Sequence, residues 1–206
     1  DWYDMGSDRE RSAVGIAALR YPPGTYTVTL EVGDEDYSQT LNVIKDPNSE
    51  GSMNDIMAQF ALAQEIRADQ LLAAETVNRI EWVRRQLYDV IDILDDQGSS
   101  EDLVETAGTI DAALVVIEDE LLQLQVTGTG QDQVRYPGKV LERLNYLLGG
   151  VTTADFRPTD QHMEVQTILR DIANEAKLDL DALLEGDLSE LNNALTERGV
   201  NLLVSP

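Results

Sequence analysis

The 206-residue sequence contains no cysteine. Disulfide staples, thiol nucleophiles and cysteine-based zinc centres are therefore excluded. It has one histidine, His162, which removes most imidazole catalysis and most histidine metal sites. Bases are scarce: 15 Lys and Arg stand against 39 Asp and Glu, for a formal charge of −24. Successive stretches of about fifty residues carry −6, −5, −6 and −7, so the acid is spread and no basic patch exists. Phosphate backbones and anionic lipid surfaces attract clustered Lys and Arg. Direct binding to nucleic acid or to an anionic membrane is disfavoured on that ground. No apolar run approaches the ~20 residues that a bilayer-spanning helix needs.

Enough remains to fold. The chain is 42% hydrophobic and long enough to bury a core, which separates it from disordered acidic chains. Asp (22) exceeds Glu (17) and Arg (12) exceeds Lys (3), a composition that leans toward a halotolerant or high-GC source. The sequence opens Asp1-Trp2-Tyr3 without Met, as expected of a processed product or a part of something longer.

Prolines divide it. They stand at 22, 23, 47, 137, 158 and 206, with none between Pro47 and Pro137. The apolar period changes from 2 to 3.6 near Asp46-Pro47-Asn48-Ser49, which suggests a β-type region over 1–46 and a helical bundle over 47–206. Thr25 to Val32 alternates strictly, with Tyr26, Val28, Leu30 and Val32 on one face. Gly33-Asp34-Glu35-Asp36 reads as a four-residue connection. Tyr37 to Ile44 returns with Leu41 and Val43 inward, completing a β-hairpin. Val14 to Arg20 reads as a further short strand. Two or three strands do not make a stable sheet alone, so helices or strands from elsewhere must cover the hairpin's apolar face.

Helix signals follow. Ser52 caps a start, with Asp55 at the third helical position. Met53, Ile56, Met57, Phe60, Leu71, Val77, Ile80, Leu87, Ile91 and Leu94 continue the pattern, with Arg84 at one seam position and a break or bend expected near 65–74. Gly98 ends this helix, and Ser99 or Ser100 caps the next. Its seam is Leu103, Ala107, Ile110, Leu114, Ile117, Leu121 and Leu124, in alternating steps of four and three. After a Gly-rich connection at 127–131, Pro137 reads as a first-turn proline of a short helix ending at Gly149-Gly150. Thr159 caps another, expected to stop at Gly186. Asp187 with Glu190 reads as a capping box for a last short helix closed by Gly199. The apolar tail Val200–Val204 should dock on something. The expected fold is mainly α, in the α+β class: an antiparallel bundle of three to four long helices after a small β-hairpin or Ig-like strand region.

Chemistry-bearing patterns are absent or bland. Asp34-Glu35-Asp36 lacks the spacing of a calcium loop and reads as a solvated turn. Asp92, Asp95 and Asp96 sit at a helix C-terminus, where negative charge is unfavourable, yet a wet face explains them. Glu118-Asp119-Glu120 reads as the wet side of its helix. There is no phosphate-binding Gly loop and no Gly-x-Ser-x-Gly elbow. His162 reads as a surface residue or a local hydrogen-bonding group in a first helical turn. Trp82 reads as bundle packing. The sequence offers no catalytic, cofactor or metal residues. Exposed aromatics dominate interface anchors, so Trp2, Tyr3, Tyr26 and Tyr37 are the candidate partner-binding residues.

Pro22-Pro23-Gly24-Thr25-Tyr26-Thr27-Val28-Thr29-Leu30, then Tyr37 to Val43, then Lys45-Asp46-Pro47 form a recognisable junction. With Leu141 to Asn145 and Leu191 to Leu203, it is similar to the C-terminal region of bacterial sortilin-type BNR-repeat glycosyl hydrolase-like proteins. The similarity covers about residues 20–206. It implies an Ig-like strand segment followed by a helical bundle, in an extracytoplasmic, periplasmic bacterial setting. The propeller that precedes these elements in that family is absent, so no family catalytic residue carries over. Two expectations follow. One is a non-catalytic scaffold or accessory subunit whose partners are other protein subunits, including the periplasmic face of a membrane complex. The other is a detached C-terminal module whose active or binding site lies in missing upstream sequence.

Overall fold

Period-two alternation gives way to helical periodicity where the sequence indicates. The computed structural model describes residues 19–97, 101–125, 132–199 and 203. Strands β1 (Gly24–Val32) and β2 (Glu35–Val43) pair antiparallel, with Tyr26 opposite Leu41 and Leu30 opposite Tyr37. Val32 pairs with Glu35, so the connection is the two residues Gly33-Asp34 rather than four. Gly33 has φ +64° and Asp34 a negative φ, the order of a type II′ turn. A two-residue primed turn matches the right-handed strand twist, which is why pairing runs to the tip. Among the described residues the sheet has only these two strands; the further strand expected over Val14–Arg20 lies outside them except for Leu19 and Arg20, which are not in a strand. Thr25 Oγ1 donates to Asn42 Oδ1 at 2.8 Å, and Thr29 and Ser38 hydroxyls meet at 3.1 Å on the polar face.

Helix α1 (Met53–Gln97) is unbroken over 45 residues, roughly 67 Å at 1.5 Å per residue. Of the break or bend expected near 65–74, no break occurs: helical hydrogen bonding continues through Ala73 and Ala74, both buried. Ser52 Oγ accepts from the Asp55 amide at 3.2 Å, and Asp55 accepts from the Ser52 amide at 3.1 Å, a reciprocal N-terminal cap. Just before it, a Cβ on Gly51 would lie 1.5 Å from the Asp155 carbonyl oxygen, so only glycine lets this junction seat against the 153–156 loop. Leu71 is exposed and not in the seam.

Helix α2 (Glu101–Leu121) folds back along α1 and buries Leu103, Ala107, Ile110, Leu114 and Leu121 as its spacing predicts. A one-turn helix, α3 (Asp132–Arg135), was not expected. Helix α4 runs from Val140 to Thr152, passing through Gly149-Gly150 instead of stopping there. Pro137 lies outside it, and Lys139 is its N-cap residue.

Helix α5 (Asp160–Leu183) does not stop near Gly186. A π-helical turn, Leu184–Leu188, carries it into α6 (Ser189–Glu197). The buried seam of α5 steps Leu169, Ala173, Ala176, Leu180. Continued in steps of three and four, it would bring Leu183 and then Asp187, Glu190 and Ala194 inward. The extra residue of a π turn shifts the register by one and presents Leu188, Leu191 and Leu195 instead, all buried. Asp187 and Glu190 therefore sit within one continuous helix and form no capping box.

The core has two contiguous clusters. One joins Leu62–Val77 of α1 to Leu121, Leu122, α4 and the first half of α5. The other joins Ile80–Leu94 to α2, Leu180 and the α6 leucines. Ile117 packs against both. Leu203 docks on the second cluster, and Asn192 bonds both its amide (2.7 Å) and its carbonyl (3.0 Å). The remainder of the expected apolar tail, and Ser99 and Ser100, lie outside the described residues. No described helix is long and apolar enough to cross a membrane.

Candidate functional site

The alternation that builds the hairpin also sorts its faces. Thr25, Thr27, Thr29, Glu31, Asp36, Ser38, Thr40 and Asn42 share one face; Tyr26, Val28, Leu30, Val32, Tyr37, Leu41 and Val43 share the other with Glu35 and Gln39. Among the described residues, none of the bundle covers the second face. Val28, Leu30 and Val32 are 52%, 60% and 56% exposed, and Leu41 is 50% exposed. The expectation that Leu41 points inward is therefore wrong, while Val43 at the foot is half-buried. Covering such half-exposed side chains is worth on the order of 1 kcal/mol each.

Tyr26 and Tyr37 lie on this apolar face at opposite ends. Tyr26 is half-buried at the foot, where its hydroxyl donates to the Pro22 carbonyl at 2.5 Å. Its ring meets Tyr21 edge-on at 5.8 Å, and Tyr21 in turn lies 5.3 Å from Phe60 of α1. Arg20 donates to the Thr152 carbonyl at 3.2 Å, and Leu19 packs on the first core cluster. These contacts tie the hairpin's foot to the end of the bundle and leave its length free. Tyr37 is exposed near the tip, and its hydroxyl donates to Glu35. That hydrogen bond raises the phenol above its ordinary value. Trp2 and Tyr3 lie outside the described residues. Tyr21 and Phe60 were not singled out from sequence; Tyr21 stands directly before the proline pair, and a hydrophobic residue there commonly braces a neighbouring element.

Inside the bundle the seams are not uniformly apolar. Arg84, on the α1 seam, donates to Asp111 at 2.8 Å, to Glu118 at 3.0 Å and to the Tyr88 hydroxyl at 2.8 Å. Glu118 has no exposed surface, which corrects its expected place on a wet face. Burial works against the Arg84 charge, but the Asp111 hydrogen bond and the two carboxylates outweigh it and hold the guanidinium above its ordinary value. Between α1 and α5, buried Asp69 accepts from Gln166 at 2.5 Å and from Arg170 at 3.0 Å. The signal for Glu118 was legible: it stands four residues after Leu114 and three before Leu121, opposite an arginine in the facing seam.

The remaining candidates are local. His162 Nδ1 accepts from the Thr159 amide at 3.3 Å, and Thr159 Oγ1 accepts from the His162 amide, so the histidine helps cap α5. Trp82 is half-buried, with its indole nitrogen enclosed and unbonded. A shallow depression of about 390 Å³ opens between Asn48–Glu50 and Thr153–Phe156, where backbone and solvent-facing groups dominate. Among the described residues, no three His, Asp or Glu are grouped so as to hold a metal ion. The open apolar face of the hairpin is thus the feature least explained by folding alone. No protein-family profile, curated protein or solved structure matches the chain.

Proposed function

We propose that the protein is a non-catalytic structural or accessory subunit that braces a larger extracytoplasmic assembly. The hairpin is its joining element, and the bundle is its strut. The observation that carries this reading is a two-stranded sheet whose apolar face is open along its length while its foot is fixed to a rigid end. A free two-stranded ribbon is marginal in water; strand addition by a partner at its free edge extends the sheet, and apolar side chains of that partner packed on the open face supply the cover the chain lacks. The buried ion clusters suit a strut, since Arg84 and Arg170 each tie two helices together at fixed register. Removing residues 1–46 should leave a soluble helical species by circular dichroism and abolish co-purification with partner subunits. Co-purification unchanged by the deletion would refute the joining role.

A second reading uses the same geometry. The missing strands would stand upstream in the same polypeptide, as the similarity to sortilin-type BNR-repeat proteins suggests. The hairpin, with one hydroxyl face and one apolar face, has the form of part of one sandwich layer. In that case activity or binding belongs to the upstream residues, and this chain is their C-terminal brace. An upstream propeller in the parent gene would favour this reading over partner addition.

A further inference from the structure

Two exposed apolar surfaces from different elements meet at the aromatic corner. From Tyr26 the ribbon face runs outward through Val28 and Leu30. From Phe60, on the other side of Tyr21, the first turns of α1 present Met57 and Met53, at steps of three and four and 48% and 42% exposed. Tyr21 contacts both aromatic neighbours and is itself 64% exposed. Tyr21 thus links the foot of the ribbon face to the Phe60 stretch of α1, and exposed methionines on that helix suit it to adapt to an incoming side chain.

Charge decides what can cover it. Ribbon residues 24–43 hold Glu31, Asp34, Glu35 and Asp36, all at the tip end, and no base. Glu35 lies on the apolar face and Asp34 in the turn at its end, while Glu31 stands directly opposite Asp36 on the hydroxyl face, a like-charge pair that destabilises a free ribbon. A second copy would bring the same four carboxylates and another −24 of net charge. A cationic chain would relieve both.

We propose that the ribbon face, Tyr21 and the first turns of α1 form one docking surface for an extended strand of a partner protein, apolar along its length and carrying Lys or Arg where it meets the ribbon tip. The inference rests on the assembly reading and names its partner's chemistry. Electrostatic complementarity of this kind sets orientation and on-rate, and apolar contact along the strand supplies most of the affinity.

The test titrates the full isotope-labelled chain with ten-residue peptides alternating Val and Thr, ending in two Lys or, as control, two Glu. The Lys peptide should shift the amide signals of Val28, Leu30 and Leu41 together with Met57. Glu35→Gln with Asp34→Asn should weaken it about three- to tenfold at low salt. Met57→Glu, on an exposed helical position that leaves the ribbon untouched, should weaken it as well. Equal binding of the Glu peptide, shifts confined to the ribbon, or no shifts at all would overturn the proposal. Concentration-dependent self-association through the same signals would give the face to a second copy and overturn it too. The underlying reading fails separately: it falls if Leu30→Asp leaves the native assembly intact, whatever the peptides do.

Discussion

Arg84 shows what a polar residue in an apolar seam demands. Its charge is tolerated because Glu118 and Asp111 meet it across the α1–α2 interface. Breaking a buried pair leaves an uncompensated charge, so Arg84→Met should cost about 3–5 kcal/mol in urea unfolding. Arg84→Met with Glu118→Leu should recover most of that loss, because a matched apolar pair removes both desolvation penalties. A double variant as unstable as the single one would show that the pair does more than satisfy itself. Surface carboxylates act differently. Hydrogen bonds from Lys177 and then Arg79 hold Asp181 below the usual carboxylate range; Arg198 does the same for Asp102, and Ser52 for Asp55. A depressed folded value stabilises the fold above the unfolded value and is lost as pH falls through the folded one. The urea midpoint should therefore drop below about pH 4, and less steeply in Asp102→Asn. A midpoint flat between pH 5 and 2.5 would contradict this assignment.

At the scale of elements, periodicity was a good guide where one seam persisted and a poor one where it slipped. The α2 seam was legible because Leu103 to Leu121 keeps steps of four and three throughout. Gly186 was misread as a terminus because the seam changes register beside it, and a helix break and a π turn look alike in sequence. Backbone hydrogen bonds across Leu184–Leu188 decide between them, and sequence does not carry those. The π turn makes a sharp prediction. Deleting Gly186 removes the extra residue and places Leu188, Leu191 and Leu195 on the seam of a regular helix. Its melting temperature should stay within a few degrees of wild type. Deleting Asn174, inside the regular part of α5, rotates all later seam residues by about 100° and should unfold the second core cluster. Equal damage from both deletions would contradict the register argument. The two-residue turn was misjudged for a related reason: Glu35 and Asp36 have turn composition, yet a glycine at the first turn position lets the strands pair past them.

For the whole molecule, composition and period located the hairpin and the bundle, and the shortage of strands signalled a sheet wanting company. The sequence could not reveal that the helices decline to cover it, since that depends on foot contacts, among them those of Leu19, Arg20 and Tyr21, that hold the ribbon to the bundle end. Of the four aromatics expected to bind a partner, Tyr26 and Tyr37 share the open face, and the surface extends beyond them to Tyr21 and Met57. The proposed joining role of this face is tested most directly by native mass spectrometry of the wild-type protein and of Leu30→Asp, each purified gently from the native source. The wild type should appear in a stoichiometric complex with other subunits, and Leu30→Asp should appear alone at the mass of its own polypeptide. A wild-type protein found alone, or a variant that keeps the full complex mass, would contradict the account.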